Sequence, residues 1–327
     1  MERLDAFMAR ANAAYYATRD PFADFTTSPE ITQVFGELLG LWSAIMWESM
    51  GQPDPVLLVE CGPGRGTLMS DALRATGGVA APFAAALRVH LVETSPRLRA
   101  QQAEQVPHAT WHDALEHVPP GPMVLLANEF LDALPIRQFI RRGDGWTERF
   151  VEGTTFIEQP ASAPEGSAAD NAADGAIVEL CEPALAIVGH VAQRVLHEGG
   201  AALFLDYGPA ESAPGDSLQA LRAGRPANPL VEAGTADLTA HVDFEALARV
   251  ARSMGAAVHG PAPQGLFLTR LGLFQRIGRL AQTQPPQRAA ALVQSAQRLA
   301  EPDRMGRLFK ALAICHPALP CPAGFEP

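Results

Sequence analysis

The sequence predicts an α/β fold built on a parallel sheet, and three observations carry that prediction. Short apolar runs at Val56–Val59, Val89–Val92, Met123–Ala127 and Ala201–Leu205 alternate with helix-like or loop segments, the rhythm of βαβ units. The first run empties into Glu60-Cys61-Gly62-Pro63-Gly64-Arg65-Gly66 and then into a helical stretch, Thr67–Ala75. The Met123–Ala127 run ends abruptly in polar residues, as strands do at a ligand-binding sheet edge.

The elements follow in order. Residues 2–19 read as an amphipathic helix ending in Tyr15-Tyr16, and Pro21, Phe22, Phe25 and Pro29 as an ordered loop. Ser28 is the expected N-cap of the next helix, with Pro29 in its first turn. Val34, Phe35, Leu38, Leu39, Leu41, Trp42, Ile45 and Met46 recur at helical spacing until Gly51 and Pro53 stop them. A third strand is expected within Ala109–Leu115. Gln138–Arg142 and Thr147–Val151 flank Gly143-Asp144-Gly145 as a hairpin. Residues 160–175 read as a polar connector, Glu179–His197 as a helix, and Pro209–Gly234 as a loop excursion rich in Gly and Pro. A helix at Phe244–Met254, a strand at Ala256–His259, helices at Leu266–Leu280 and Gln287–Leu299, and an apolar segment at Leu308–Ile314 complete the chain. There is no internal repeat. Three segments are expected: 1–55, a helical N-terminal part; 56–208, a core with a hairpin insertion at about 137–158; and 209–327, helices plus the last strands.

A chain of 327 residues that is 47% hydrophobic can hold a sizeable core, enough for two lobes. Its net charge of −11 argues against a broad nucleic-acid footprint, which needs a clustered basic face. No apolar run approaches the roughly 20 residues that span a bilayer, and MERLDAFMAR lacks the apolar core of a secretory signal. Glu2 and Asp5 fit a transit peptide poorly. The expectation is a cytoplasmic chain without membrane insertion. Cys61, Cys181, Cys315 and Cys321 include no CxxC, and His108, His112 and His117 are mixed with prolines, so no metal site is expected. Ser70 and Ser95 show no nucleophile elbow, which sets hydrolase chemistry aside. His241, between Asp237 and Asp243, reads as structural more readily than as a base.

The chemistry concentrates on the strand ends. Glu60, Gly62, Gly64 and Gly66 form E-x-G-x-G-x-G, whereas a dinucleotide fingerprint is G-x-G-x-x-G. An acid just after the first strand suits a ligand bearing a positive ammonium and sulfonium, so the loop points to S-adenosylmethionine (product S-adenosylhomocysteine). Glu93 ends the second strand, where a carboxylate accepts both ribose hydroxyl protons, although NAD would ask for the same acid. Asp113, after the third strand, is placed to meet the adenine amino group. Asn128, Glu129 and Asp132 follow the fourth strand. Methyl transfer needs alignment above all, and an amine or guanidinium acceptor adds the need for a carboxylate to hold it and take a proton. Glu129 suits that role; Asp132 suits it or a helix N-cap equally.

The combination of Tyr15-Tyr16, Asp20-Pro21-Phe22, Asp24-Phe25-Thr26-Thr27-Ser28-Pro29-Glu30-Ile31, Phe35-Gly36-Glu37, Glu60–Gly66 and Asn128–Pro135 resembles the MidA-type methyltransferases, the family of the mitochondrial complex I assembly factor that methylates protein arginine. Asp206-Tyr207-Gly208, Asp237–Phe244, Gln264-Gly265, Met305-Gly306 and Phe309-Lys310 extend the resemblance along nearly the whole chain. It implies a Rossmann-like seven-stranded class I methyltransferase sheet with N- and C-terminal helical additions. It also implies S-adenosylmethionine at the glycine loop, and arginine N-methylation of a protein acceptor, a respiratory-complex subunit in the relatives. The chain departs from the family where Phe22 passes through Ala23 directly to Asp24, a shortened loop. The aromatic-and-basic run expected after Asp206-Tyr207-Gly208 is reduced to Leu218–Arg225. A non-catalytic assembly chaperone that keeps the cofactor fold is the competing reading, and a nicotinamide-dependent oxidoreductase is a third. Acceptor identity, methyl count and oligomeric state, a homo-oligomer included, stay open.

Overall fold

A computed structural model describes residues 1–19, 26–165, 167–170 and 172–326. The shortened loop at 22–24 and the Asp20–Phe25 part of the family motif lie outside the described residues. The chain forms two compact units, one of Met1–Thr26, Leu131–Ile187 and Pro209–Leu247, the other of Thr27–Phe130, Val188–Gly208 and Ala248–Pro327.

The larger unit holds a seven-stranded mixed sheet. Its strands are β1 (Val56–Cys61), β2 (Leu87–Val92), β3 (Thr110–His112), β4 (Met123–Asn128), β5 (Gly200–Tyr207), β6 (Ala257–Pro263) and β7 (Phe309–Cys315). They lie in the order β6-β7-β5-β4-β1-β2-β3. Within it β1, β2, β3, β4 and β5 run parallel, and β7 is antiparallel to both β5 and β6. The apolar runs are continuous because the middle strands are covered on both faces: every residue of β1, β4 and β7 is buried. This is the α/β sheet that the apolar runs predict, with the seven strands that the family resemblance implies and with β7 antiparallel to its neighbours.

Helix α1 (Gln33–Ser49) packs on helix α2 (Thr67–Val79). Gly36 and Gly40 make that approach possible: a Cβ on Gly36 would lie 2.7 Å from the Asp71 Cβ, and one on Gly40 would lie 2.7 Å from the Ala72 Cα and carbonyl oxygen. Glu37, on the same helix and buried, accepts hydrogen bonds from Arg74 and Arg276, which hold its carboxyl below the usual range. Ser28 is not the N-cap of this helix. Ser28–Ile31 is a separate turn of helix that begins after Thr27; the chain is extended at Thr32 (φ −161°), and the Thr32 hydroxyl accepts from the Val34 N–H at 3.4 Å. Thr32 restarts the helix because its oxygen, not that of Ser28, meets an unpaired N–H.

In the smaller unit the hairpin forms as expected, with Arg137–Arg142 and Gly145–Glu152 paired across a Gly143-Asp144 turn. Three expectations are corrected there. The 160–175 connector is partly strand, since Thr155–Ala161 pairs with Trp146–Glu152. The helix expected from Glu179 starts at Glu182, because Ile177–Leu180 pairs with Arg137–Ile140 as a strand. The excursion at Pro209–Gly234 contains a second hairpin, Gln219–Arg222 and Arg225–Ala227, whose first strand also pairs with Asp237–Thr239. Helix Leu4–Thr18 buries Leu4, Phe7, Met8, Ala11 and Tyr15 at helical spacing. Leu4, Phe7, Met8 and Ala11 join Ile136, Val151, Ala220, Leu230 and Leu238 in one cluster.

Substituting Gly40→Ala is expected to destabilise the protein by roughly 1–3 kcal/mol. The overlap with Ala72 outweighs the gain in helix propensity, about 1 kcal/mol. Urea denaturation of the variant checks this; an increase in stability would contradict the packing argument.

Candidate active site

The carboxyl end of the sheet in the larger unit is built from β1 outward. Gly62, Gly64 and Gly66 all have positive φ (66°, 55° and 85°), a conformation that suits residues without a Cβ. A side chain on Gly62 would also strike the Phe130 ring, 2.8 Å from an added Cβ. The three glycines are thus demanded by the backbone of the turn that carries β1 into α2.

Three carboxyl groups lie at the strand ends, each held differently. Glu60 is 3% exposed, and its Oε2 has no hydrogen-bond partner among the described residues. Burial pushes its pKa up to about 8. Glu93, after β2, is half-buried; its Oε1 accepts from the Ser95 N–H at 2.8 Å and its Oε2 from Gln102 Nε2 at 3.2 Å. Burial raises its pKa, and these donors oppose the rise. Glu129, after β4, has φ +49°, and its Oε1 accepts from the Ser28 N–H at 2.7 Å and from Asn128 Nδ2 at 3.1 Å. Burial raises the Glu129 pKa as well, against the pull of the same two donors. Asn128 is buried, and its Oδ1 lacks a partner among the described residues.

Glu60, the glycines, Glu93, Asn128 and Glu129 therefore share one end of one sheet. Asp113 stands apart from their burial: its side chain is 71% exposed and paired with Arg99 Nη2 at 2.6 Å. Asp132 belongs to the smaller unit. It is buried in a turn from which no helix starts, so it is not an N-cap, and its carbonyl accepts from the Ala240 N–H at 2.9 Å. In that unit the Tyr16 hydroxyl donates to Asp237 Oδ1 at 2.8 Å. Burial, with Asp237 and Asp132 nearby, raises the Tyr16 pKa well above its usual value.

Four residues at the site carry no signal in the sequence for their roles. Gln102 and Arg99, on helix α3 (Pro96–Gln105), reach Gly64, Glu93 and Asp113. Glu30 accepts from the Thr67 hydroxyl at 2.5 Å and lies 4.0 Å from Arg65. Asp206, at the end of β5, accepts from the Phe130 N–H at 3.1 Å. Glu30 and Asp206 lie in segments of the family resemblance, which by themselves name no partner for either.

The sequence profile of the S-adenosyl-L-methionine-dependent methyltransferases grouped as Methyltransf_28 matches residues 38–262. The chain belongs to this family. It is 35% identical to the Drosophila melanogaster mitochondrial "protein arginine methyltransferase NDUFAF7 homolog", over 96% of this chain and 80% of the relative. Against the Homo sapiens mitochondrial "protein arginine methyltransferase NDUFAF7" the figures are 34%, 92% and 76%. Among solved structures, a COG1565 superfamily member from Burkholderia thailandensis crystallised with S-adenosyl-homocysteine is similar, with TM-score 0.82 and 26% identity over 98% of this chain and 89% of that one.

As a member of this family the protein uses S-adenosyl-L-methionine, and the strand ends fit such a group. Glu60 Oε2 and Asn128 Oδ1 are buried oxygens without a hydrogen-bond partner among the described residues, and each such atom costs about 1–3 kcal/mol until a partner arrives. An ammonium supplies donors and positive charge together.

The pKa of Glu60 has a consequence for the empty methyltransferase. Between about pH 4.3 and pH 8 the folded chain keeps a proton on Glu60 that the unfolded chain releases. Its contribution to stability therefore falls as pH rises through that window, by up to about 1.4 kcal/mol per unit. Thermal melting of wild type and Glu60→Gln from pH 5.5 to 8.5 checks this. The wild type should lose stability relative to the variant as pH rises; parallel curves would contradict the assignment.

Proposed function

We propose that this methyltransferase N-methylates arginine on a protein acceptor, with Glu129 holding the guanidinium. The single observation that supports this is the Glu129 carboxyl at the end of β4, turned by a positive φ and fixed through Oε1 by Ser28 and Asn128. A carboxylate fixed in this way orients a planar cationic acceptor by paired hydrogen bonds. Its raised pKa also suits it to take the proton that the guanidinium sheds as the new N–C bond forms. Bound S-adenosyl-L-methionine supplies an electrophilic methyl carbon on a positive sulfonium.

In this reading Glu60 and Asn128 take the amino-acid end of the cofactor, the Gly62–Gly66 loop receives its backbone, and Glu93 takes the ribose hydroxyls. Asp113 serves the adenine amino group only after exchanging its bond to Arg99 for the ligand. The arginine specificity rests on the names of relatives about one third identical to this chain. A respiratory-complex subunit is the acceptor that the family resemblance suggests, and the acidic chain, at −11, suits an acceptor segment carrying Arg.

Incubating the protein with isotopically labelled S-adenosylmethionine and a proteome depleted of the native enzyme, followed by mass spectrometry, tests the proposal. Methylarginine should appear, and Glu129→Gln should lower transfer roughly 10²–10⁴-fold with S-adenosylhomocysteine affinity nearly intact. Methylation confined to another residue type would refute arginine as acceptor. Cofactor binding without any product, with assembly of the partner unaffected by Glu129→Gln, would favour the chaperone instead.

A further inference from the structure

Gln102 sits on helix α3, which Ser95 caps by accepting from the Leu98 N–H at 3.4 Å. Leu98 and Gln102, four residues apart, form the buried face of this otherwise polar helix, and Gln102 is fully buried. A glutamine placed there is costly unless its amide is satisfied, and three partners satisfy it. Trp111 Nε1 donates to Gln102 Oε1 at 2.8 Å. Gln102 Nε2 donates to the Gly64 carbonyl at 2.7 Å and to Glu93 Oε2 at 3.2 Å. The indole can only donate and the two other partners can only accept, so the amide has one orientation.

We infer that Gln102 is a positioning residue for the cofactor: its amide locks the middle of the glycine loop to the Glu93 carboxylate, so that loop and carboxylate meet the ligand as one preformed surface. This rests on the reading that Glu93 takes the ribose. The geometry has the parts that such a lock needs. Gly64, with φ +55°, lacks a side chain of its own to fix it. Glu93 has a rotatable carboxyl whose Oε1 is held by its own local turn at Ser95, and Gln102 is what ties its other oxygen to the loop. Arg99, one turn earlier on α3, holds the Glu93 carbonyl from its Nε at 2.7 Å and Asp113 from its Nη2. The buried face of α3 thus sets the carboxylate while its rim sets the backbone. Binding to a preformed site avoids the ordering cost that a slack loop and a free carboxyl would add.

Calorimetric titration with S-adenosylhomocysteine tests this on the intact chain. Gln102→Leu should weaken binding roughly 10- to 100-fold, the range for losing a hydrogen bond to a charged group. Trp111→Phe, which keeps an aromatic ring and removes only the orienting donor, should weaken it severalfold. Thermal melting identifies a Gln102→Leu chain that fails to fold, in which case Trp111→Phe carries the test. The decisive readout is coupling: Glu93→Ala combined with Gln102→Leu should lose less affinity than the product of the two single losses. Unchanged affinity in both Gln102→Leu and Trp111→Phe, or fully multiplicative losses in the double variant, would overturn the positioning role and leave the cofactor reading standing. A wild-type chain without affinity, or a Glu93→Ala chain with full affinity, would overturn the cofactor reading and this inference with it.

Discussion

The chain must leave a fully buried strand, β1, and reverse into a helix within five residues. That reversal is the constraint from which the rest of the site follows. Only residues free of a Cβ adopt the left-handed backbone three times in alternation without strain, and Gly62, Gly64 and Gly66 do so. The turn leaves carbonyls and N–H groups that other elements must hold. Gln102 takes the Gly64 carbonyl, and Glu30 takes the Thr67 hydroxyl at the head of α2. The Ser28–Ile31 turn thereby touches the glycine loop through Glu30 and Glu129 through the Ser28 N–H. One short segment ties the end of β1 to the end of β4.

Electrostatics then separates three carboxyl groups that share one end of the sheet. All three are raised in pKa by burial. Glu93 and Glu129 are each compensated by two donors, whereas the Oε2 of Glu60 meets none among the described residues. A compensated carboxyl is positioned for recognition; an uncompensated one holds free energy that a cation recovers on arrival. The methyltransferase family to which the chain belongs uses a cofactor with two positive centres, an ammonium and a sulfonium. We propose that Glu60 answers that charge, Glu93 the sugar and Glu129 the acceptor.

Much of this was legible in the sequence, and the reasons are local. β1, β4 and β5 are covered on both faces and so read as unbroken apolar runs, and the glycine loop declares itself by spacing. What was not legible depends on partners distant along the chain. Asp113 reads as a ligand contact, and nothing local in the sequence signals its bond to Arg99, fourteen residues earlier. Ser28 and Thr32 are both good capping residues; which of them caps depends on where the extended backbone falls. Glu179-Leu180 runs into a helix and reads as its first turn, yet Ile177–Leu180 pairs with Arg137–Ile140 as a strand. Pro160 and Pro226 disguise two strands of the smaller unit as loop. Gln102 has no motif at all, since one buried amide on a polar helix leaves no periodic mark.

The most direct test of the account is the proton balance of cofactor binding. Titrating S-adenosylmethionine into the protein at pH 7, in buffers of different ionisation enthalpy, measures protons released per ligand bound. If Glu60 is protonated when buried alone and ionises beside a cation, binding should release about one proton, and Glu60→Gln should abolish that release. Heats that do not depend on the buffer, or a release unchanged in the variant, would contradict the central role given to Glu60.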